Sequence, residues 1–148
     1  MTEAAAPRAG GEAALPVMVR REVLDDIAAH AGAESPNECC GLLLGTASTI
    51  EASHRARNEL ASPRRYRVQP EDHFAAIRAA RARGFDVVGA YHSHPGAPPI
   101  PSTTDLQEGV PGPFLYLIAG THDGGHRTIG AWRLSDGNFV AVRLVTIQ

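Results

Sequence analysis

The stretch FDVVGAYHSHPGAPPIPSTTD, residues 85–105, decides how the rest of the chain is arranged. Its apolar start, residues 85–90, is typical of a buried strand. Because alternate side chains of a strand share a face, His92 and His94 point the same way and Ser93 points to the opposite face. Two neutral imidazoles side by side can bind the same zinc ion at about 2.0–2.1 Å each. The stretch therefore predicts a metal site at the end of a strand.

A third ligand must come from elsewhere, and Asp105 is the nearest candidate along the chain. The proline connector, residues 95–101, contains four prolines and a single glycine. Proline fixes φ and cannot continue a helix, so the connector is predicted to be extended and stiff. A stiff connector can hold Asp105 against the histidine pair at little entropic cost.

Length and composition indicate one ordinary globular domain. The chain has 148 residues, 43% of them hydrophobic, and a formal net charge of -2. This balance predicts no attraction to nucleic acid or to an anionic membrane, and no apolar run approaches the roughly 18 residues that span a bilayer. The first residues do not resemble a secretory signal. The two cysteines are adjacent, which argues against a disulfide framework and favours the cytoplasm.

The periodicity of apolar residues predicts a mixed α/β domain over residues 15–148, preceded by a mobile tail, residues 1–14, that carries no chemistry. Helices are predicted over residues 20–33, 70–83 and 102–108. Strands are predicted over residues 15–19, 38–46, 66–68, 85–93, 114–119, 127–134 and 138–147, the last two joined by a turn at residues 135–137. The polar segment 49–65 is predicted to be a loop.

Several candidate residues also have plain structural interpretations. Ser102 and Asp105 have the spacing of a helix capping box, which is compatible with a ligand at Asp105. Glu38 precedes an apolar strand, where burial would raise its pKa, but it could equally be a solvated residue at a strand end. Cys39 and Cys40 are interpreted as small buried residues because they lack a Cys-x-x-Cys spacing. The second histidine pair, in THDGGHR at residues 121–127, is interpreted as a solvated loop.

Taken together, His92, His94, Ser102 and Asp105 have the spacing H-x-H-x7-S-x2-D, which resembles the motif of the JAMM (MPN+, Mov34) zinc metallopeptidases. Glu38, in PNECCGLLLG, resembles the upstream glutamate of that motif. The resemblance spans roughly residues 17–147. The chain is similar to compact bacterial members that act on ubiquitin-like sulfur-carrier proteins. The resemblance implies the three-layer MPN fold, which is like that of cytidine deaminase and has a mixed, mostly antiparallel sheet flanked by helices.

The resemblance also implies roles for these residues. Zinc would be held by His92, His94 and Asp105, with a water in the fourth position, as in catalytic zinc sites generally. Glu38 would accept the water's proton and deliver it to the leaving amine, and Ser102 would donate a hydrogen bond to the oxyanion. The implied reaction is hydrolysis of a peptide or isopeptide bond after the C-terminal Gly-Gly of a ubiquitin-like or sulfur-carrier protein.

Two other functions remain open at this stage. One is a non-catalytic MPN-fold module that binds a ubiquitin-like protein, and the other is a structural zinc site, although structural sites usually have four protein ligands. The oligomeric state is also left open, a homodimer included.

Overall fold

The computed structural model describes residues 15–121 and 127–148. The predicted tail and residues 122–126 of the THDGGHR segment lie outside them. The described helices are α1 (Arg21–Glu34), α2 (Pro70–Ala82) and α3 (Thr103–Glu108). The described strands are β1 (Val17–Arg20), β2 (Cys40–Gly45), β3 (Thr49–Ala56), β4 (Asp86–Ser93), β5 (Leu115–Thr121), β6 (Arg127–Ser135), β7 (Asn138–Ala141) and β8 (Leu144–Ile147). None of the described helices has the length and apolar character needed to cross a bilayer.

The described strands form one sheet in the order β7-β6-β5-β4-β2-β3-β1-β8. The pairs β4–β5, β3–β1 and β1–β8 run parallel, and the other four neighbouring pairs run antiparallel. Although β7 and β8 lie at opposite ends of this order, only Val142 and Arg143 separate them in the chain. The sheet therefore curls until its two edges approach each other. This architecture confirms the predicted mixed, mostly antiparallel sheet flanked by helices.

The helices cover opposite faces of the sheet. Leu43 of β2 packs in the same buried cluster as Ile27 of α1, whereas its neighbours Leu42 and Leu44 pack with Ala76 of α2. This alternation follows from the two-residue repeat of a strand. Burying a side chain such as Leu43 or Ile27 contributes about 1.5–3 kcal/mol each, so both helices are held to the sheet mainly by apolar contact.

Three predicted elements were wrong in detail. Residues 49–56 form β3 rather than loop, because β3 pairs with β2 on one side and β1 on the other, so backbone hydrogen bonds stabilise a strand that has mostly polar side chains. The predicted strand 66–68 is reduced to one isolated bridge between Asn58 and Val68. The predicted strand 138–147 breaks into β7 and β8, which pair with opposite edges of the sheet.

The strand β4 lies near the middle of the sheet, between β2 and β5. His92 is paired with Cys40 on the antiparallel side and with Ile118 on the parallel side. The histidine stretch therefore emerges from one of the most constrained positions in the fold, which limits the positional freedom of any group it carries.

Candidate active site

The strand register places Glu38 beside the histidine pair. The strands β2 and β4 run antiparallel, with Cys40 opposite His92. Two residues further in this direction, Glu38 lies opposite His94. All three acid and imidazole groups then share the face that α2 covers. The ligand atoms offered by Glu38, His92 and His94 lie within 4.8 Å of one another, in an arrangement that could hold a metal ion.

Asp105 completes the cluster from α3. The two Nε2 atoms of His92 and His94 are 3.1 Å apart. Asp105 Oδ1 lies 3.2 Å from His92 Nε2, and Asp105 Oδ2 lies 3.1 Å from His94 Nε2. A tetrahedral zinc ion with bonds of about 2.0–2.1 Å needs ligand atoms roughly 3.3 Å apart. The two histidine nitrogen atoms and the Asp105 carboxylate therefore lie at nearly the separations that such an ion needs, with each nitrogen facing a different oxygen of Asp105.

The start of α3 fixes the carboxylate of Asp105. The backbone N–H of Asp105 donates to Ser102 Oγ at 3.0 Å, and the backbone N–H of Ser102 donates to Asp105 Oδ2 at 2.8 Å. This is the complete capping box that the spacing predicted. Ser102 Oγ accepts in this pair, so its own hydroxyl hydrogen is available to another acceptor. The structural and functional interpretations of Ser102 are thus compatible.

The proline connector is docked on β5 and β6. His94 donates its backbone N–H to Ala119 at 2.8 Å, and Thr121 donates to Ala97 at 2.7 Å. The indole Nε1–H of Trp132 donates to Pro99 at 3.1 Å. A Cβ at Gly120 would overlap the backbone of residues 97–99, so this close approach depends on glycine. The connector is therefore held by backbone contacts as well as by its prolines.

The charges of the three predicted ligands depend on one another. Burial lowers the pKa of His92, and the neighbouring Asp105 only partly offsets this effect. For His94, burial is outweighed by hydrogen bonds to Asp105 and to the Pro98 carbonyl, so its pKa is raised. Burial would raise the pKa of Asp105, but hydrogen bonds from His92 and His94 hold it well below its usual range. Asp105 is therefore an anion at neutral pH, facing two nitrogen atoms.

Glu38 differs from Asp105 because it lacks a comparable set of donors. Only 4% of Glu38 is exposed, and its Oε1 is buried without a hydrogen-bond partner. Burial raises the pKa of Glu38 from 4.5 to about 7, while the nearby His94 opposes the shift and the Asp105 charge adds to it. A carboxyl group with such a pKa can both accept and donate a proton at neutral pH.

A loop that the sequence did not connect with the site, residues 57–69, holds Glu38 in place. Asn58 Nδ2 donates to the Glu38 carbonyl at 3.1 Å, and the Glu38 N–H donates to the Ser62 carbonyl at 2.9 Å. In the same loop the Tyr66 ring stacks on the His92 ring, with centroids 4.5 Å apart and planes 21° apart. In the sequence, the only sign that this loop belongs to the site is the presence of Tyr66 near Asn58. That sign is weak without knowledge of the register between β2 and β4.

The remaining candidates take structural positions. Cys39 and Cys40 are buried as free thiols, and burial raises their pKa values to about 11 and 12. They are therefore protonated and unreactive at neutral pH, as the sequence predicted. His30 of α1 is also buried, with its Nδ1 2.7 Å from the Tyr91 hydroxyl.

Two cavities border the cluster. A slot of about 20 Å³ is lined by Tyr66, His92, Asp105, Glu108, Gly109 and Tyr116, among others. A larger cavity of about 660 Å³ lies on the α1 side and touches residues 93–96. Its lining includes Thr121 and Arg127, the described residues on either side of residues 122–126. Of the three predicted ligands, His92 and Asp105 line the slot, and His94 lines the larger cavity, so the cluster lies between the two.

Comparison with known proteins agrees with this geometry. Residues 20–135 match the family described as prokaryotic homologs of the JAB domain. The chain is 37% identical over 102 residues to a desampylase of Haloferax volcanii, covering 67% of this chain and 73% of the relative. It is 34% identical over 137 residues to a probable TtuB-protein conjugate cleaving protease of Thermus thermophilus, covering 90% and 86%. A CysO-cysteine peptidase of Mycobacterium tuberculosis is 26% identical over 123 residues, covering 82% and 84%.

A solved structure gives the same fold. The JAB1/MPN domain protein AF2198 of Archaeoglobus fulgidus superimposes with a TM-score of 0.53 at 18% identity, covering 87% of this chain and 96% of that one. At this level of identity the likeness shows the fold alone, and it matches the MPN architecture implied by the family resemblance.

Proposed function

This chain belongs to the prokaryotic JAB family, and we propose that it is a zinc-dependent metallopeptidase. Its reaction would be hydrolysis of the peptide or isopeptide bond after the C-terminal Gly-Gly of a ubiquitin-like or sulfur-carrier protein. The observation that carries this proposal is the convergence of His92, His94 and Asp105, at mutual distances of 3.1–3.2 Å, beside the buried carboxyl group of Glu38. The relatives named as desampylase, TtuB-conjugate protease and CysO-cysteine peptidase support the substrate class.

The ligand set suits zinc. Two imidazole nitrogens and one carboxylate oxygen are typical of catalytic zinc sites, which keep one position open. When bound, zinc would acidify a water molecule and polarise the scissile carbonyl group. The low pKa of Asp105 and the neutral state of His92 are the protonation states that a cation requires of its ligands.

Glu38 would transfer the proton during hydrolysis, and Ser102 would donate a hydrogen bond to the carbonyl oxygen of the substrate. Glu38, ionised, would take the proton of the attacking water and then give it to the departing amine, which is a poor leaving group when unprotonated. Ser102 would turn its free hydroxyl hydrogen toward the carbonyl oxygen as charge develops there. Removing one such donor typically costs about 3–4 kcal/mol of the activation barrier.

The slot supports glycine as the residue before the cleaved bond. Its volume of about 20 Å³ is close to that of a single water molecule and leaves little room for a side chain. The Tyr66 ring, stacked on His92, forms one wall. A substrate tail without side chains would therefore require the least widening of this slot to bring its carbonyl group beside His92 and Asp105.

The test is to replace Glu38 with glutamine and measure both bound zinc and hydrolysis. We expect Glu38→Gln to keep about one zinc per chain and to lose hydrolysis of a ubiquitin-like protein extended beyond its Gly-Gly, followed by intact mass. Glu22→Gln, an exposed change in the first turn of α1, is the matched control and should retain both. Full activity of Glu38→Gln, or loss of its zinc, contradicts the role proposed for this residue.

The alternative, a non-catalytic module that binds a ubiquitin-like protein, makes a different prediction. Protein that was purified without chelator, contained no zinc and bound the Gly-Gly tail without cutting it would favour this alternative. No contact among the described residues favours this alternative over hydrolysis. A location in the cytoplasm stays an expectation from the sequence.

A further inference from the structure

The two histidines of the ligand cluster are oriented in different ways. His94 has its Nδ1 3.0 Å from the Pro98 carbonyl oxygen, so its outer nitrogen has a hydrogen-bond partner. Such an outer hydrogen bond fixes the tautomer and the ring orientation of a metal-binding histidine. His92 is 1% exposed, and its Nδ1 has no partner within the part of the chain that the structure describes. Another contact must therefore orient the ring of His92.

That contact is with Tyr66. The Tyr66 and His92 rings are stacked, with centroids 4.5 Å apart and planes 21° apart. Tyr66 belongs to the 57–69 loop and not to a helix or strand. The position of its ring therefore depends on the groups that hold the loop backbone on either side of it.

The side chain of Asn58 holds this backbone on both sides. Asn58 Nδ2 donates to the Arg65 carbonyl at 3.0 Å, and Asn58 Oδ1 accepts from the Arg67 N–H at 3.1 Å. These two groups belong to the two peptide bonds of Tyr66. Because the carboxamide of asparagine is planar and short, it fixes both peptide bonds relative to each other.

The same carboxamide also holds the backbone of Glu38. Asn58 Nδ2 donates a second hydrogen bond, at 3.1 Å, to the Glu38 carbonyl, and Asn58 Oδ1 accepts a second one, at 3.1 Å, from the Leu60 N–H. A carboxamide has two N–H donors and an oxygen that accepts two hydrogen bonds. All four positions of Asn58 are therefore used, and one side chain joins the backbones of Glu38 and Tyr66.

We propose that Asn58 is a positioning residue that sets the place of the proton carrier Glu38 and, through Tyr66, the ring of the ligand His92. This inference rests on the proposed function and adds a residue that is neither ligand nor proton carrier. Its four contacts are with backbone groups, so it acts through other residues and not on the substrate. Aspartate has the same shape but lacks both N–H donors, so the arrangement requires a carboxamide.

The test compares Asn58→Ala with wild type in the full-length chain. We measure zinc affinity by competition titration and, at saturating zinc, kcat/KM for a reporter, a ubiquitin-like protein extended beyond its Gly-Gly. Both should fall, each by about 10- to 100-fold, as is typical when a group that orients a metal ligand is lost. Asn138→Ala, an exposed change at the start of β7, is the matched control and should keep the wild-type values.

Proton NMR of the metal-free protein gives a readout that does not depend on activity. The ring protons of His92 should resonate upfield in wild type, because the ring current of Tyr66 shields a ring stacked on it. They should move downfield in Asn58→Ala and in Tyr66→Leu. Tyr66→Phe keeps the aromatic ring and should keep the upfield position together with the zinc affinity.

A double variant separates the two contacts of the asparagine. In a Tyr66→Leu background, Asn58→Ala should have little further effect on zinc affinity, because Asn58 reaches His92 through Tyr66. It should still lower kcat/KM at saturating zinc, because it releases the backbone of Glu38. If Asn58 only stabilised the fold, the losses of zinc affinity would add, and that result would overturn the inference.

Other outcomes are equally decisive. Wild-type zinc affinity and kcat/KM in Asn58→Ala, or His92 ring protons that do not move, would overturn the inference and leave the proposed function standing. If Asn58→Ala does not unfold cooperatively, Asn58→Asp decides, because it keeps both acceptors and removes only the donors; full activity of Asn58→Asp overturns the inference. Wild-type protein that neither binds zinc nor cuts the reporter overturns the proposed function, and the NMR comparison then still tests the orientation of His92.

Discussion

Replacing Glu38 with glutamine should stabilise the metal-free protein above pH 7. The reason lies in the environment of this carboxyl group, which is 4% exposed and has one oxygen without a hydrogen-bond partner. Burial raises the pKa of Glu38 from 4.5 to about 7. The folded state thus holds a proton over a pH range in which the unfolded chain has released it.

The sign and size of the effect follow from linkage. Where the folded state binds more protons than the unfolded state, stability falls as pH rises. For Glu38 the free energy of unfolding falls between about pH 4.5 and about pH 7, and above pH 7 the full loss of stability has been reached. A shift of this size corresponds to about 3 kcal/mol at 1.36 kcal/mol per pKa unit. Glutamine has nearly the same shape and cannot ionise, but it must place an amide group there, so a net gain of about 1–3 kcal/mol is expected.

The assay is urea unfolding in the presence of a zinc chelator. Wild type and Glu38→Gln should have similar free energies of unfolding near pH 4.5, where the folded carboxyl group is protonated and the unfolded one is about half protonated. At pH 8 the variant should be more stable, with an unchanged m-value. Adding zinc should shrink the difference, because a nearby cation favours the ionised carboxylate of the wild type.

Equal stability of the two proteins at pH 8 would refute the reasoning, since it would mean that Glu38 is ionised at no cost in the folded protein. A gain of the same size at pH 4.5 would also refute it, because packing rather than charge would then be the cause. Glu22→Gln, at an exposed position, should show no pH-dependent gain.

Three further changes test the surroundings of the site. Gly120→Ala should shift the proline connector that carries Asp105, weakening zinc binding and costing about 1–3 kcal/mol of stability; an unchanged zinc affinity in a competition titration would contradict this. His30→Gln should reduce the loss of stability below pH 6.5, because burial and the Arg55 charge lower the pKa of His30 and the folded state resists its protonation; unfolding at pH 5 and 8 checks it. Tyr66→Ala should widen the slot and reduce the preference for glycine over alanine before the cut about tenfold in kcat/KM; an unchanged ratio would mean that Tyr66 is not a wall of the slot.

The sequence was sufficient to predict the features that depend only on residues close together in the chain. The alternation of His92 and His94 along β4 and the capping box of Ser102 with Asp105 depend on residues within a few positions of each other. The start of α2 at Pro70 and its end before Gly84, which has φ of +74°, likewise follow from neighbouring residues. In these segments short-range geometry leaves few alternatives.

What the residues alone could not give is the pairing between distant segments. Glu38 reaches the histidines through the register of β2 on β4, and only the family resemblance pointed to it beforehand. The strand β3 was missed because its neighbours in the sheet, rather than its own side chains, make it a strand. Asn58 and Tyr66 belong to a loop whose contacts, with Glu38 and with His92, join segments that are distant along the chain.

The polar cost of the fold is concentrated at the ligand cluster. Among residues 15–121 and 127–148, three buried side-chain polar atoms lack a hydrogen-bond partner, and two of them are Glu38 Oε1 and His92 Nδ1. A buried polar group without a hydrogen-bond partner costs about 1–3 kcal/mol of stability. The two atoms therefore lower the stability of the metal-free fold at one place, the ligand cluster. The same cluster holds an anionic Asp105 against two imidazoles on a rigid strand end and a docked connector. A cation at the cluster would offset part of this cost, which is why the stability of Glu38 variants and their zinc affinity should change in opposite directions.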